Sequence, residues 1–493
     1  MKLTSALEVA KHNSPESCWL IIHGKIYDLT EFLNEHPGGK KILLKYAGKD
    51  ATEAFDPIHP IDIIAKYLPP EVCLGEVDAS TIIVEKKEET PEEKIRQTAI
   101  RNKPHISEML NLYDFEAVAK QTLRADAWAY YSSGADDEIT LRENHNAFHR
   151  IWLKPRVMVN VTNVDFSTNL LGHKSSFPLY ITACALGKLG HPEGEVVLTR
   201  AANQQKIIQL LPTLASCSLD EMINASIVGQ VLFYQLYVNS DRKISEQIVR
   251  TAEAKGCKAL FITADAPQLG RREKDMRQKF VINPPDMQED KDLKTRDEGA
   301  ARAISKFIDP GLCWNDVKWF KSITKMPIVI KGIQCAEDAV LAWKYGCAGI
   351  VISNHGGRQL DTSPSAIEVL PSAIAALKAA GADLTKFDVY IDGGIRRGSD
   401  IFKAIALGAK AVGLGRPTLY AMSTYGDEGV ERVIQLLKDE FEMVMRLMGV
   451  TSIDQINSSM VDISNLGNHI AAAPRDYLSA GVYEKMQPKQ SKL

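Results

Sequence analysis

The chain contains no C-x-x-C pair: its eight cysteines (Cys18, Cys73, Cys184, Cys217, Cys257, Cys313, Cys335, Cys347) are scattered. That pattern argues against zinc ribbons, iron–sulfur clusters and covalent haem attachment, and for free thiols in a reducing compartment. No stretch nears the roughly 18 uninterrupted apolar residues of a membrane span, and the first residues show no signal h-region or Arg-rich transit peptide. No excess of charge is present either. Fifty-nine Lys and Arg stand against 62 Asp and Glu, a net −3, so no basic face for nucleic acid is expected. Neither G-x-G-x-x-G nor G-x-x-x-x-G-K-[ST] occurs, which removes the usual dinucleotide and nucleoside triphosphate signatures. What remains is 493 residues of ordinary globular composition, 45% hydrophobic and 25% charged, enough for two or three domains.

Residues 1–76 read as a compact α+β unit. Cys18 to Leu29 suits two short strands around a turn at Gly24, and Glu35-His36-Pro37-Gly38-Gly39-Lys40 forces a bend into a helix over Lys41 to Tyr46. His59 lies at a second proline-bracketed turn, Asp56-Pro57-Ile58-His59-Pro60. Two imidazoles on opposing turns could clamp a metal, and without nearby thiols or a carboxylate cluster a haem iron fits better than zinc. The competing reading is two unrelated turn histidines. Taken with Ile26-Tyr27-Asp28-Leu29-Thr30 and Ala47-Gly48-Lys49-Asp50-Ala51-Thr52, these residues resemble the cytochrome b5 haem-binding domain. That resemblance implies b-type haem held by His36 and His59.

From 77 to 104 the composition turns charged, with eight charges between Glu85 and Lys94, and reads as a solvated linker. As a flexible coil, ~25 residues would reach roughly 25–30 Å.

Beyond the linker, eight strand-like runs alternate with helical spacing: 179–185, 206–213, 233–237, 259–267, 327–332, 349–357, 389–395 and 411–417. The expected fold is α/β, a (β/α)8 TIM barrel over 105–480, with sites at the C-terminal ends of its strands. Six successive strands end in chemistry-bearing residues: Gln235 and Tyr237; Thr263 and Asp265; Lys331; Ser353, His355 and Arg358; Asp392; Arg416. His355 can take a proton, and two glycines later Arg358 can hold an acid. Asp392-Gly393-Gly394-Ile395-Arg396 and Gly413-Leu414-Gly415-Arg416-Pro417 place glycines and arginines after strands seven and eight, where barrels hold phosphate. Lys331 could stabilise a bound ring that becomes anionic on reduction; at about 4 Å and a dielectric near 20 the attraction is ~4 kcal/mol. A phosphorylated, reducible ring describes flavin mononucleotide (FMN).

These motifs, with Ala129–Ala135, His191-Pro192-Glu193-Gly194-Glu195, Phe233–Tyr237, Ala264–Pro267, Leu269–Glu273, Ser353–Asp361 and Asp392–Arg397, resemble the FMN-dependent 2-hydroxy acid oxidase and dehydrogenase family. The resemblance implies that His355 is the catalytic base, with Asp265 its partner. Arg358 and Tyr130 would bind the substrate carboxylate, Tyr237 would hydrogen-bond the substrate, and Arg272 would add positive charge. Lys331 would sit at the flavin edge, with Ala183, Ala185, Gln235, Thr263, Ser353, Asp392, Gly393, Gly394, Arg396, Gly415 and Arg416 around FMN. Pro212 stands where the family usually has a hydroxyl and Cys184 where threonine is common, so flavin affinity or potential could differ. Leu214 replaces a tryptophan of the glycolate oxidases and leaves a roomier substrate wall, as in lactate-using members.

Joined to the haem domain, the pattern implies L-lactate oxidation to pyruvate, with electrons passing from FMN to haem b and on to cytochrome c or a similar acceptor, in a homotetramer. An oxygen-using glycolate or longer-chain oxidase is the alternative enzyme; a pure haem electron carrier on a degenerate barrel is the non-enzymatic one. The charged segment 286–299 reads as a mobile loop over the mouth. The tail 481–493 ends in Ser491-Lys492-Leu493, a peroxisomal address. Cytochrome c does not belong in a peroxisome, which leaves the mitochondrial intermembrane space or cytosol as alternatives.

Overall fold

A computed structural model describes residues 3–36, 39–82, 89–282 and 307–469. The segment 286–299 and the terminal Ser491-Lys492-Leu493 lie outside these, as do Pro37 and Gly38.

In the N-terminal unit, Ser17–Ile22 pairs antiparallel with Lys25–Asp28. The two-residue turn His23-Gly24 has φ of +51° and +73°, the left-handed pair that matches strand twist in a tight hairpin. Period-2 alternation sends Leu20 and Ile22 to one face and Ile21 to the other. The first face packs with Leu29, Leu33, Leu43 and Ala47 against Phe32 and Phe55, beneath the turns that carry the two histidines. Cys73–Asp78 joins the opposite edge of Lys25–Asp28.

Pro91–Arg101 is a helix, with Thr90 as its N-cap and Arg96 donating to the Thr122 carbonyl. The coil estimate of reach therefore does not apply to those residues.

The barrel closes as expected from eight parallel strands: β1 (Leu179–Ile181), β2 (Ile208–Leu211), β3 (Leu232–Leu236), β4 (Leu260–Thr263), β5 (Ile328–Ile333), β6 (Gly349–Ile352), β7 (Asp388–Asp392) and β8 (Ala411–Leu414). Register pairs Val412 with Leu179 and Leu414 with Ile181, sealing β8 to β1. Alternate residues such as Tyr180, Leu210, Phe233, Phe261, Val329, Val351 and Tyr390 fill the lumen, while Leu179, Ile181, Leu211, Leu260 and Ile350 face the surrounding helices. Both strand faces are buried, so the runs read as continuous apolar stretches rather than alternating ones.

The strands stop short of the apolar-plus-polar runs in the sequence, leaving most of the chemistry-bearing residues in the loops immediately beyond. Two helices that precede the barrel, α1 (Ala125–Ser132) and α2 (Ile139–His149), supply the groups on which those loops rest. Among the described residues no helix is long and apolar enough to cross a membrane.

Candidate active site

His355 lies three residues past β6 with φ +58°, a left-handed conformation unusual for a residue with a Cβ. Its backbone N–H donates to Ser353 Oγ at 3.0 Å, and that hydroxyl donates to Asp392 Oδ1 at 2.5 Å. The imidazole is thereby aimed. Nδ1 lies 2.9 Å from Asp265 Oδ1, and Nε2 lies 3.2 Å from the Tyr237 hydroxyl. A carboxylate only accepts, so Nδ1 carries the proton and Nε2 keeps its lone pair, the tautomer a base needs. Burial draws the imidazole below its usual range, and the Lys331 and Arg272 cations add to that, outweighing Asp265. Asp265 feels the reverse. Burial raises it, but His355 and Lys331 more than offset that and hold it ionised.

Lys331 points into the same space. Its Nζ is 3.1 Å from Ser353 Oγ, 3.5 Å from Asp392 Oδ2 and 3.8 Å from Asp265 Oδ2. Burial works against its charge, yet the two carboxylates leave it above the ordinary lysine value. Gly332 makes this approach feasible: a Cβ there would fall 2.5 Å from Asp265 Cβ. The sequence reading did not single out Gly332, although a glycine directly after a strand-end lysine is the signal.

Three arginines converge. Arg358 donates through Nη1 to the carbonyls of Tyr130 (2.7 Å) and Ser133 (3.1 Å) at the end of α1, and its guanidinium lies 4.9 Å from the Tyr130 ring centre. Arg416 reaches the carbonyls of Tyr131, Ser133 and Gly356. Helix C-terminal carbonyls carry partial negative charge and satisfy such donors without neutralising them. Arg272, 3% exposed, donates among the described residues to the Arg358 carbonyl (3.4 Å) and Gln359 Oε1 (3.3 Å). Burial and the neighbouring Arg358 pull it down to about 9, and burial pulls Arg416 to about 10. Among the described residues no carboxylate forms a salt bridge with Arg272, Arg358 or Arg416. Like charges gathered out of water call for an anion.

Gln235 accepts from the Thr213 N–H (3.1 Å) and donates to Thr263 Oγ1 (2.8 Å), lacing the ends of β2, β3 and β4 together. Gly393 and Gly394 have φ of +93° and +87°, backbone conformations that a residue with a Cβ rarely adopts. A Cβ on Gly394 would fall 1.8 Å from the Asn144 carbonyl of α2. Arg396 pairs with Glu116 at 3.5 Å and lies near enough to Arg416 to lower its proton affinity. Gly415 immediately precedes the helix Arg416–Met448. Ala183 and Ala185 follow β1, Pro212 is buried at the end of β2 and Leu214 is half-buried beyond it. Cys184 Sγ lies 3.9 Å from Thr418 Oγ1, and burial pushes its thiol to about 12, so it is neutral.

Sequence reasoning missed the platform beneath these loops. Asn144 and Asn354 exchange side-chain hydrogen bonds of 2.9 and 2.7 Å, and Asp361 accepts from the N–H groups of Ile139 and Thr140, tying the His355 loop to α2.

The histidine pair of the small domain is separate. The His36 and His59 ring centres are 6.2 Å apart, and His36 Nδ1 lies 3.4 Å from the Gly39 carbonyl, a contact of the kind that orients a ligating imidazole. Two metal–nitrogen bonds of about 2 Å plus half a ring on each side sum to about 6 Å. Burial, with His36 beside it, lowers His59 to about 4, keeping it in the neutral, ligating form. Among the described residues one further group of potential metal ligands exists, Glu143, Glu368 and His469, but the Arg150 guanidinium pairs with both glutamates there.

Comparison with known proteins identifies both domains. The FMN-dependent dehydrogenase pattern matches residues 119–463, and the cytochrome b5-like heme/steroid binding domain matches residues 5–78. An L-lactate dehydrogenase (cytochrome) from Wickerhamomyces anomalus is 52% identical over 97% of this chain and 83% of its own. The enzyme of the same name from Saccharomyces cerevisiae is 49% identical over the same shares. Spinach glycolate oxidase is 43% identical, but over only 72% of this chain. A solved flavocytochrome b2 variant with pyruvate bound superimposes with a TM-score of 0.73 at 48% identity, covering 82% of this chain and all of that one. The chain therefore belongs to the FMN-dependent dehydrogenase family and carries a cytochrome b5-like domain ahead of its barrel.

Proposed function

We propose that the protein oxidises L-lactate to pyruvate and delivers the electrons through FMN and haem b to cytochrome c or a similar one-electron acceptor. The observation that carries this is the pairing of a neutral, carboxylate-held imidazole with unneutralised arginines in one pocket. Such a pocket suits a substrate that brings its own carboxylate and gives up a proton. FMN, when bound, supplies the two-electron acceptor and haem the one-electron relay.

Arg358 holds the substrate carboxylate with the edge left free by the α1 carbonyls, and Arg272 strengthens the field. Tyr130, stacked on Arg358, and Tyr237, within reach of His355, fix the acid's orientation. His355 Nε2 takes the proton, and Asp265 stabilises the imidazolium. General-base assistance of this kind contributes roughly 10²–10⁴-fold. Leu214 forms the apolar wall beside the substrate's methyl group.

For FMN, the glycines at 393, 394 and 415 with Arg396 and Arg416 suit a phosphate, and Lys331 with Gln235, Thr263, Ser353 and Asp392 suits the ring and its polyol; Ala183 and Ala185 leave room after β1. His36 and His59 would ligate the haem iron, which would supply the one-electron relay. We take residues 1–76 as the haem domain, 77–104 as the connection, 105–480 as the catalytic domain, and a homotetramer as the assembly. Ser491-Lys492-Leu493 supports peroxisomal delivery, where the acceptor would be a carrier other than mitochondrial cytochrome c; removing the three residues and following localisation tests this against the intermembrane space and cytosol.

The test is steady-state turnover of a 2-hydroxy acid panel with cytochrome c and with oxygen. The proposal expects L-lactate and cytochrome c to be preferred; glycolate with oxygen as the best pair would overturn it.

A further inference from the structure

The motif His191-Pro192-Glu193-Gly194-Glu195 is not used by the chemistry above, yet it contains a carboxylate with no exposure to solvent. Helix α3 (Glu195–Gln204) opens at Glu195, directly after Gly194, whose φ is +51°. Glu195 is fully buried. Its Oε1 accepts from the N–H groups of Gly187 (2.8 Å) and Ser216 (3.0 Å); its Oε2 accepts from Ser216 Oγ (2.9 Å) and the Cys217 N–H (3.1 Å). Among the described residues no salt bridge reaches it. Four donors from two separate loops thus meet one acceptor-only group, which is the arrangement a carboxylate satisfies and an amide cannot.

The loops concerned are those after β1 and β2. The first contains Leu186 at φ +57°, a strained conformation that persists only if its surroundings impose it. The Tyr131 hydroxyl donates to the Leu186 carbonyl at 2.7 Å on one side, and Glu195 holds Gly187 on the other. The second contains Leu214, flanked by two anchored positions. Thr213 is held to Gln235 by two hydrogen bonds, and Ser216 is held by Glu195.

We infer that Glu195 is a positioning residue that fixes the Leu214 wall and thereby sets how large a 2-hydroxy acid side chain the pocket accepts. This rests on the substrate reading given above for Leu214. Glu195 does not touch the reacting atoms; it acts through the Ser216 end of the loop.

The test uses the full-length holoenzyme with Glu195→Gln and Ser216→Ala. Flavin and haem spectra establish loading, and kcat and KM are measured for L-lactate and for L-mandelate, which carries a phenyl group. In Glu195→Gln, kcat on lactate stays within about threefold while its KM rises, and the mandelate-to-lactate ratio of kcat/KM rises about tenfold, the scale on which an apolar pocket discriminates. Ser216→Ala, which removes one donor, shifts the ratio in the same direction by less. A purely structural residue would change yield and melting temperature without moving that ratio. If Glu195→Gln does not accumulate as holoenzyme, Ser216→Ala decides by the same ratio. Wild-type protein that oxidises lactate while the variants keep its selectivity refutes the inference alone. Wild-type protein that oxidises neither acid refutes the substrate reading and the inference with it.

Discussion

Replacing Asp265 by Asn isolates the electrostatic part of the mechanism, because the amide keeps the shape and loses the charge. The Asp265 side chain is fully buried and 2.9 Å from His355 Nδ1. When the imidazole takes a proton, a full positive charge forms beside it. At that separation and an effective dielectric near 20, the attraction is about 5–6 kcal/mol. An amide oxygen facing Nδ1–H retains a neutral hydrogen bond of about 1 kcal/mol, and only part of the charge has developed in the transition state. A net loss of about 3–4 kcal/mol remains, which is 10²–10³-fold in rate at about 1.4 kcal/mol per decade. If the amide instead turns its NH2 toward Nδ1, the imidazole proton moves to Nε2 and the loss is larger. The assay is anaerobic stopped-flow reduction of the flavin by L-lactate, compared with lactate deuterated at C2. The variant should hold FMN, reduce it at least a hundredfold more slowly and show an isotope effect no smaller than the wild type. Flavin reduction within about fivefold of wild type would refute the assignment of Asp265.

The base functions only when deprotonated, so activity is present above the His355 pKa and lost as pH falls through it. Because that pKa is depressed from its usual 6.5, the acid limb of kcat/KM should lie below pH 6.5. Arg272→Gln removes one of the cations that depress it, so the limb should move upward; movement downward would contradict the charge arrangement. His36→Ala should abolish the haem spectrum while lactate still bleaches the flavin, since the two sites share no side chain; loss of both would mean the domains fold as one unit. Gly394→Ala would set a Cβ 1.8 Å from the Asn144 carbonyl at φ +87°, costing at least about 3 kcal/mol of stability, and should release FMN. Retained flavin at wild-type urea stability would contradict it.

The barrel was legible because strands buried on both faces appear as apolar runs, and helices between them keep their own period. Most of the candidate site residues were proposed from their place within a few residues of a strand end, whereas Tyr130, on α1, and Arg272, nine residues past β4, came from the family resemblance. The supports were not. Ile139 and Asp361 are 222 residues apart in sequence, and nothing local marks that they meet. The carbonyls of Tyr130, Tyr131 and Ser133 that receive Arg358 and Arg416 are backbone groups, which no residue type announces. His355 occupies a conformation that local propensity gives to glycine; the Ser353 and Asp265 contacts impose it. Arg396 was read toward a phosphate from its place in the glycine-rich stretch after strand seven, and the structure adds Glu116 as its partner.

The central claim is that one acid passes electrons first to the barrel site and only then to the small domain. Rapid anaerobic mixing with L-lactate, following the flavin and haem bands separately, tests it most directly. The flavin band should bleach first and the haem band follow, with His355→Gln showing neither change. Haem reduced by lactate while the flavin stays oxidised, or in protein stripped of FMN, would contradict the account.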